Sequence, residues 1–411
     1  MRAIGVLVGA LAGAAPSLGE EVAAIIRIPL VNHDQLQFFG TVLVGSPPVP
    51  FRVIFDTGSS DVWLPSAHCR ACSGSQRYNG SVSTTYLDEP ENFQAYYGSG
   101  AVAGRLFYDD VALPALAPRT LRMGSVERQD ERIQQFESEG IVGLGFPALA
   151  SFTAPSFLQA FNVSLFSLYI SPLPSDPTPS QLILHGIDPD LEGPATTWHY
   201  VSLAEEPSTA GFWAVPLRGL AIGSASVQHK ASIAVLDSGT SLLLLPLAEY
   251  AAVVTQLCTA MGGCEDGAAR SSLSCSDCRH GDFPPLTFTL GTTAFTLQGS
   301  DYVRCEFNTC MPQIDKSTSS FIVLGDIFMR AYYTAFDVTH RRIGLACLND
   351  GRCAGGLKPP LNLSPVLSWL LYAAALYTHA FFITASGLGL KWIVNRYQAR
   401  PKSTICTPRL V

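Results

Sequence analysis

Two aspartates in this chain stand in nearly the same local sequence. Asp56 lies in VIFDTGSSDVWLP at 53–65, and Asp237 lies in IAVLDSGTSLLLLP at 233–246. Each follows an apolar run, precedes Ser/Thr-Gly-Ser/Thr-Ser and closes on Leu-Pro. A carboxylate at the end of a buried strand is costly unless polar groups surround it. The turn itself supplies them. Gly58 and Gly239 let the backbone bend and bring N–H groups to the carboxylate. Ser59 and Thr240 offer hydroxyls to the outer oxygens, and Thr57 and Ser238 can tie each turn to its neighbour. If the two turns meet, their carboxylates cannot both ionise readily. One pKa falls, the other rises, and the pair shares a proton over a wide acid range. The ionised member then takes a proton from a trapped water while the protonated member hydrogen-bonds a carbonyl. That is general acid–base hydrolysis of an amide, with no covalent intermediate, metal or cofactor.

For the turns to meet, two equivalent strand–turn units must face each other. A second repeat supports this. IVG follows Asp56 at 141–143 and VLG follows Asp237 at 323–325, at separations that differ by one residue. Matched pairs at matched spacing indicate a duplicated fold, each half giving one acidic turn and one Ile/Val-Gly strand beside it. The chain has 411 residues, 47% hydrophobic and 14% charged, which excludes a disordered chain and allows more than one core. Thirty-five Gly and 28 Pro among short Val/Ile/Phe/Tyr runs favour an all-β reading. A net charge of −7, with no basic run in the main body, argues against a nucleic-acid surface. Pro/Asp-rich stretches at 172–181 and 187–197 place the boundary between halves near residue 190. YGSGAVAGRL, from Tyr97, sets turn glycines between strand-like residues, as a mobile hairpin tip requires.

The two ends have their own character. MRAIGVLVGALAGAAPSLGE carries one cation, Arg2, then an apolar stretch and small residues. It reads as a signal peptide over 1–20, too short to span a bilayer. Residues 363–390 contain no Asp, Glu, Lys or Arg and predict a transmembrane helix in contact with the lipid bilayer. Lys391, Arg396, Arg400, Lys402 and Arg409 follow it. Positive charge stays cytosolic, so the expected topology is single-pass type I, with residues 21–355 luminal or extracellular and 391–411 a basic cytosolic tail. Eleven cysteines divide into ten within 69–353 and Cys406 in that tail. An even number suits a disulfide framework in an oxidising lumen.

The chain resembles the pepsin-family aspartic proteases from roughly residue 22 to 350. The resemblance is carried by FDTGSSDVWLPS at 55–66, YGSG at 97–100, GIVGLGFP at 140–147, LDSGTSLL at 236–243 and VLGDIFMRAYYTAFD at 323–337. These proteases are the standard worked case of the proton-sharing pair, and the chemistry above is taken over from them. The resemblance implies a bilobal all-β fold of two similar six-stranded-barrel-type lobes, over 21–190 and 191–355, acting as a monomeric endopeptidase on protein and peptide substrates. It implies Asp56 and Asp237 as catalytic, with Thr57, Ser59, Trp63 and Ser238 supporting them. Tyr97 matches the tyrosine of a substrate-covering flap, steadied by Trp63. Gly58, Gly98, Ser99, Gly239 and Thr240 match positions that bond the substrate backbone. An apolar preference around the cut bond also follows. The membrane anchor makes protein processing in the secretory system a more natural task than bulk digestion.

Some features depart from that family. IIRIPLVNHDQLQFFGTVLVG follows the signal almost at once. We therefore expect no long basic pro-segment and no acid-triggered zymogen, and we expect IIRIPL to form a strand joining the lobes. Cys69 and Cys72 fit a tight local bridge. Cys275 with Cys305 or Cys310 would fill the place of the family's C-lobe bridge. Cys69-x-x-Cys72 and Cys275-x-x-Cys278 have metal-ligand spacing, but their separation and compartment favour disulfides over zinc. Neither G-x-S-x-G nor H-E-x-x-H occurs. The competing reading is a peptide-binding receptor on an inactive copy of the fold. Such relatives lose an aspartate, a turn glycine or the flap tyrosine, and all are present here. Asn79, Asn162 and Asn362 open glycosylation sequons, with Asn79 expected in a polar loop and Asn162 partly buried.

Overall fold

The computed structural model describes residues 25–347 apart from 172–177, 193–195, 263–272, 277 and 308, together with the short segment 406–408. The expected signal peptide, the stretch 363–390 and Asn362 lie outside the described residues. Among the described residues no helix is long and apolar enough to cross a membrane.

Seven strands build most of the first half: β1 (Gln37–Val44), β2 (Val49–Asp56), β3 (Val62–Pro65), β4 (Leu87–Tyr97), β5 (Gly100–Ala112), β6 (Arg119–Gln129) and β7 (Gly140–Gly143). The last four residues of β2 are all buried, as are all four of β3 and of β7. Continuous apolar runs of this kind suit strands covered on both faces. The spatial order is β1-β2-β7-β3-β6-β5. Leu43 opposite Ala112 and Val44 opposite Val111 then join β1 to β5 and close the six into a ring. Val31–His33 and β4 lie outside it, so the sheet carries eight strands rather than six. Most of β4 is exposed, because it is the edge strand of the sheet and pairs only with β5, in a long hairpin.

The second half repeats this core. Its strands are β8 (Ala214–Ile222), β9 (Ile233–Leu236), β10 (Leu243–Pro246), β11 (Ile314–Ser317) and β12 (Ile322–Leu324). The order β8-β9-β12-β10-β11 matches β1-β2-β7-β3-β6 step for step. The strand directions match as well: antiparallel, parallel, antiparallel, parallel in each lobe. The repeated IVG and VLG motifs are thus the strands lying parallel to those that carry the two aspartates. Here too the sheet has eight strands, and no closing pair occurs among the described residues. The helices of this half that matter to the site are α1 (Leu247–Ala260) and α2 (Asp326–Ala331).

A third sheet of six strands joins the lobes. It takes Ile26–Pro29, Leu165–Tyr169 and Gln181–Leu184 from one half and Thr197–Ser202, Tyr332–Asp337 and Arg342–Cys347 from the other. Ile26–Pro29, from the IIRIPL segment, pairs with Gln181–Leu184 at its edge. Above this sheet, Phe166 stacks on Phe336 at 4.7 Å between ring centroids, and Trp213 meets Phe336 edge-on at 5.1 Å. Each such aromatic side chain contributes about 2–3 kcal/mol of apolar burial to holding the lobes in one relation.

The cysteine pattern differs in part from expectation. Cys69 bridges Cys72, so neither thiol is a metal ligand. Cys305 bridges Cys310 across a hairpin, so the expected bridge from Cys275 to either one does not form. Cys310 stands opposite both Cys275 and Cys305 in the sheet, on its two sides, and its sulfur is taken by Cys305. Cys258, Cys275 and Cys347 are each disulfide-bonded as well. Asn79 is exposed, and so is Asn162, which corrects the expectation of partial burial. Asn162 turns the chain at a φ of 53° after a short helix, and this swings its side chain outward.

Candidate active site

Strands β2 and β9 each end at the lobe interface, and the turn after each strand carries its aspartate. Asp56 stands opposite Gly143 in register, and Leu236, just before Asp237, stands opposite Leu324. The Gly58 N–H donates to Asp56 Oδ1 at 2.8 Å and the Ser59 hydroxyl to Oδ2 at 2.5 Å. The other turn repeats this: the Gly239 N–H donates to Asp237 Oδ1 at 2.8 Å and the Thr240 hydroxyl to Oδ2 at 2.6 Å. Chemically equivalent bonds thus hold both carboxylates from outside.

The two turns are tied to each other. The Thr57 N–H donates to Ser238 Oγ at 3.0 Å, and the Ser238 N–H donates to Thr57 Oγ1 at 2.9 Å. Each hydroxyl then donates onward, Thr57 to the Leu236 carbonyl at 2.9 Å and Ser238 to the Phe55 carbonyl at 2.6 Å. Thr57 and Ser238 are both buried, so every one of these bonds must be made. Threonine and serine serve equally because only the Oγ is used.

The carboxylates face one another. A Cβ on Gly58 would meet the Asp237 carboxylate at 2.6 Å, and a Cβ on Gly239 would meet Asp56 Oδ1 at 2.3 Å. Only glycine leaves room for the opposite carboxylate. Asp56 is 4% exposed, whereas Asp237 is partly open to the cleft. Burial, the charge of Asp237 and a hydrogen bond with it hold the Asp56 carboxyl well above the usual range, against the pull of Ser59 and Gly58. Such a pair keeps one proton between two carboxyls where isolated aspartates would have lost it.

The hairpin of β4 and β5 places Tyr97 at its tip. Trp63 is fully buried, and its indole N–H donates to the Tyr97 hydroxyl at 2.8 Å, with the rings 6.5 Å apart. Burial first, then the charge of Asp56, pushes the Tyr97 hydroxyl well above its ordinary pKa, so it stays a neutral phenol. Gly98 and Ser99 form the turn beyond it. A Cβ built on Gly98 would meet nothing within 4 Å, so this tip faces open space. Beside the aspartates, Leu36, Phe38, Ile54 and Phe136 line a pocket of about 290 Å3 with Ser238 and Gly239. Its lining suits an apolar side chain.

The sequence profile of the eukaryotic aspartyl protease family matches residues 37–348. The chain belongs to that family. Among its relatives, pepsin A of Gallus gallus is 32% identical over 336 residues, covering 78% of this chain and 87% of its own. Gastricsin of Cavia porcellus is 33% identical over 334 residues, covering 77% and 81%. Embryonic pepsinogen of Gallus gallus is 29% identical over 342 residues, covering 80% and 85%. This aspartyl protease is an aspartic endopeptidase, acting on peptide or protein substrates.

Near the site of this aspartyl protease, sequence reasoning missed two buried acids, Asp326 and Asp61. Asp326 opens α2 beside the dyad, is 2% exposed, and its Oδ1 has no hydrogen-bond partner among the described residues. Burial lifts its carboxyl well above the usual range; Arg330 opposes this, and the charges of Asp237 and Asp56 add to it. Asp61 is 3% exposed and accepts the Ser151 N–H and hydroxyl, yet burial still raises its pKa. Both lie within quoted motifs, VLGD and SSDVWLP. An acid inside an otherwise apolar motif was the available signal.

Proposed function

We propose that this chain is a membrane-anchored aspartic endopeptidase that processes proteins in the secretory or endomembrane system. Asp56 and Asp237 act as its catalytic dyad. One carboxylate takes a proton from a water held between them, while the other, protonated, hydrogen-bonds the scissile carbonyl and later passes its proton to the leaving nitrogen. Tyr97 closes over the extended substrate with Gly98 and Ser99, and closure excludes bulk water. Gly58, Gly239 and Thr240 present backbone and hydroxyl groups to the peptide. The observation that carries the catalytic part is the mutual approach of each carboxylate to the opposite turn glycine.

Anchoring and topology are supported by the uncharged stretch 363–390 and the cations after it. Exposed Asn79 supports glycosylation of a luminal body. One observation favours a second arrangement. The segment Cys406–Pro408 runs antiparallel beside Leu273–Ser276 of the C-lobe, which would put the tail on the same side as the body. Protease protection of sealed vesicles, probed at tags on each end, separates the two arrangements. A type I anchor leaves only the C-terminal tag open to cytosolic protease.

The catalytic assignment is tested by replacing either aspartate with Asn. Turnover should fall by orders of magnitude while an uncleaved peptide still binds. Unchanged turnover in either variant sinks the assignment.

A further inference from the structure

A second cavity, of about 570 Å3, adjoins the pocket beside the dyad. The two share Leu36 as a wall. The Ser241 hydroxyl donates to the Leu36 carbonyl and fixes that wall to the second aspartate's turn. Helix α2 runs under both cavities: Asp326 lines the smaller one, and Arg330, one turn on, lines the larger.

Arg330 carries the unanswered charge of this cavity. It is half-buried, and loss of solvent holds its pKa below the ordinary arginine value against the opposing charges of Asp326 and Asp301. Its hydrogen bond, at 2.5 Å, goes to Gln35 Oε1, a neutral amide. No carboxylate among the described residues forms an ion pair with it. The other charges are engaged elsewhere or face water. Arg304 and Glu306 pair with each other at 2.6 Å. Asp301 accepts the Gln298 N–H at 2.6 Å. Asp34 and His280 are exposed at the rim.

A guanidinium has five donors in a planar fork, and one is occupied here. The acceptor that fits such a fork in two contacts is a carboxylate. The Gln35 amide can add an N–H to the same oxygens by turning over. We propose that this cavity is a carboxylate subsite, in which Arg330 and Gln35 take an acidic group of an extended peptide substrate. The inference rests on the endopeptidase reading and gives it a substrate class: peptides with an acidic residue at a fixed distance from the cut bond. An acidic side chain and a free C-terminal carboxylate share this chemistry.

The test uses the full chain and C-terminally amidated peptides with one cleavable core. Each outlying position carries Glu in one peptide and Gln in its twin, assayed about one pH unit above the ordinary Glu value of about 4.3. The expected result is one position at which Glu is favoured about tenfold in kcat/KM, mainly through KM, as a charge-assisted pair would give. Arg330→Gln should abolish the ratio. So should Gln35→Glu, which supplies the carboxylate from within. Reading the ratio inside each variant cancels any general loss of folding or rate. A parallel set of free-acid peptides shows whether a terminal carboxylate is taken instead. The proposal is overturned if Glu and Gln peptides behave alike at every position and free acids match amides, or if the preference survives both substitutions. If no peptide is cut, the endopeptidase reading fails. The subsite is then judged by the same Glu-against-Gln comparison in direct binding, where equal affinities overturn it.

Discussion

Asp56 and Gly239 approach so closely that a Cβ on the glycine would stand 2.3 Å from Asp56 Oδ1. Gly58 stands in the same relation to Asp237, at 2.6 Å. Each turn glycine therefore does two jobs: its N–H holds its own aspartate, and its missing side chain makes room for the other.

Gly239→Ala tests that arrangement with one added methyl group. Because position 239 is exposed, the chain can still fold, but the Asp56 carboxylate must move. Displacement by about 1 Å at a reacting centre costs on the order of 100-fold in rate. We expect kcat to fall by at least that factor with little change in the thermal midpoint. Near-normal kcat would contradict the facing geometry.

Thr57 and Ser238 form one cross-lobe unit, so their removal should not be additive. Thr57→Val leaves a buried N–H and a buried carbonyl unpaired and should cost about 2–3 kcal/mol. Ser238→Ala should cost a similar amount. In a double-mutant cycle by denaturant unfolding, the coupling should exceed about 0.5 kcal/mol. Strict additivity would mean that the two residues stabilise the lobes independently.

Two buried carboxyls should give opposite slopes of stability with pH. The Asp326 carboxyl is raised in the folded chain, chiefly by burial. Its stabilisation is complete below the unfolded value of about 3.9 and is lost as pH rises through the folded value. Asp326→Asn removes that loss. Its thermal midpoint relative to the parent should therefore climb as pH rises from about 4 to 7. An offset that stays constant with pH contradicts the assignment.

Glu139 behaves in the opposite sense. It is 1% exposed and accepts the Arg52 N–H at 2.7 Å and the Arg52 guanidinium at 2.7 Å, which together lower its pKa against the cost of burial. That stabilisation is present above the unfolded value of about 4.3 and lost as pH falls through the folded one. Glu139→Gln should cost about 2 kcal/mol near pH 7, below the figure for a fully buried pair because Arg52 is 38% exposed. The cost should shrink in acid. Urea unfolding at two pH values reads it.

Much of this was legible in the chain because duplication leaves its mark in sequence. Matched turns and matched Ile/Val-Gly strands placed Asp56, Asp237 and their parallel neighbours before any coordinates. The Thr57–Ser238 exchange was legible too, since a hydroxyl in a tight turn has few partners. Long-range pairing was not. Nothing local in Leu43 or Ala112 says that they close a ring, and nothing around Cys305 or Cys310 says that they face each other across a hairpin rather than reaching Cys275. Asp326 and Arg330 were read as part of a motif, and only their burial shows one with an unpaired oxygen and the other with a neutral partner. The partial burial expected of Asn162 fails because nothing in its sequon announces the positive φ that goes with its exposure.

The shared proton is tested most directly by the pH dependence of kcat/KM for a cleavable peptide. The account predicts a bell. Its acid limb marks ionisation of the first carboxyl, and its alkaline limb marks loss of the second proton, displaced above the ordinary aspartate range by burial of Asp56 and the charge of Asp237. Asp326→Asn should shift the alkaline limb without removing it, whereas Asp56→Asn should leave no measurable profile. A rate that rises through one ordinary carboxylate ionisation and then stays level to neutral pH would show that Asp56 and Asp237 titrate separately, and would contradict the account.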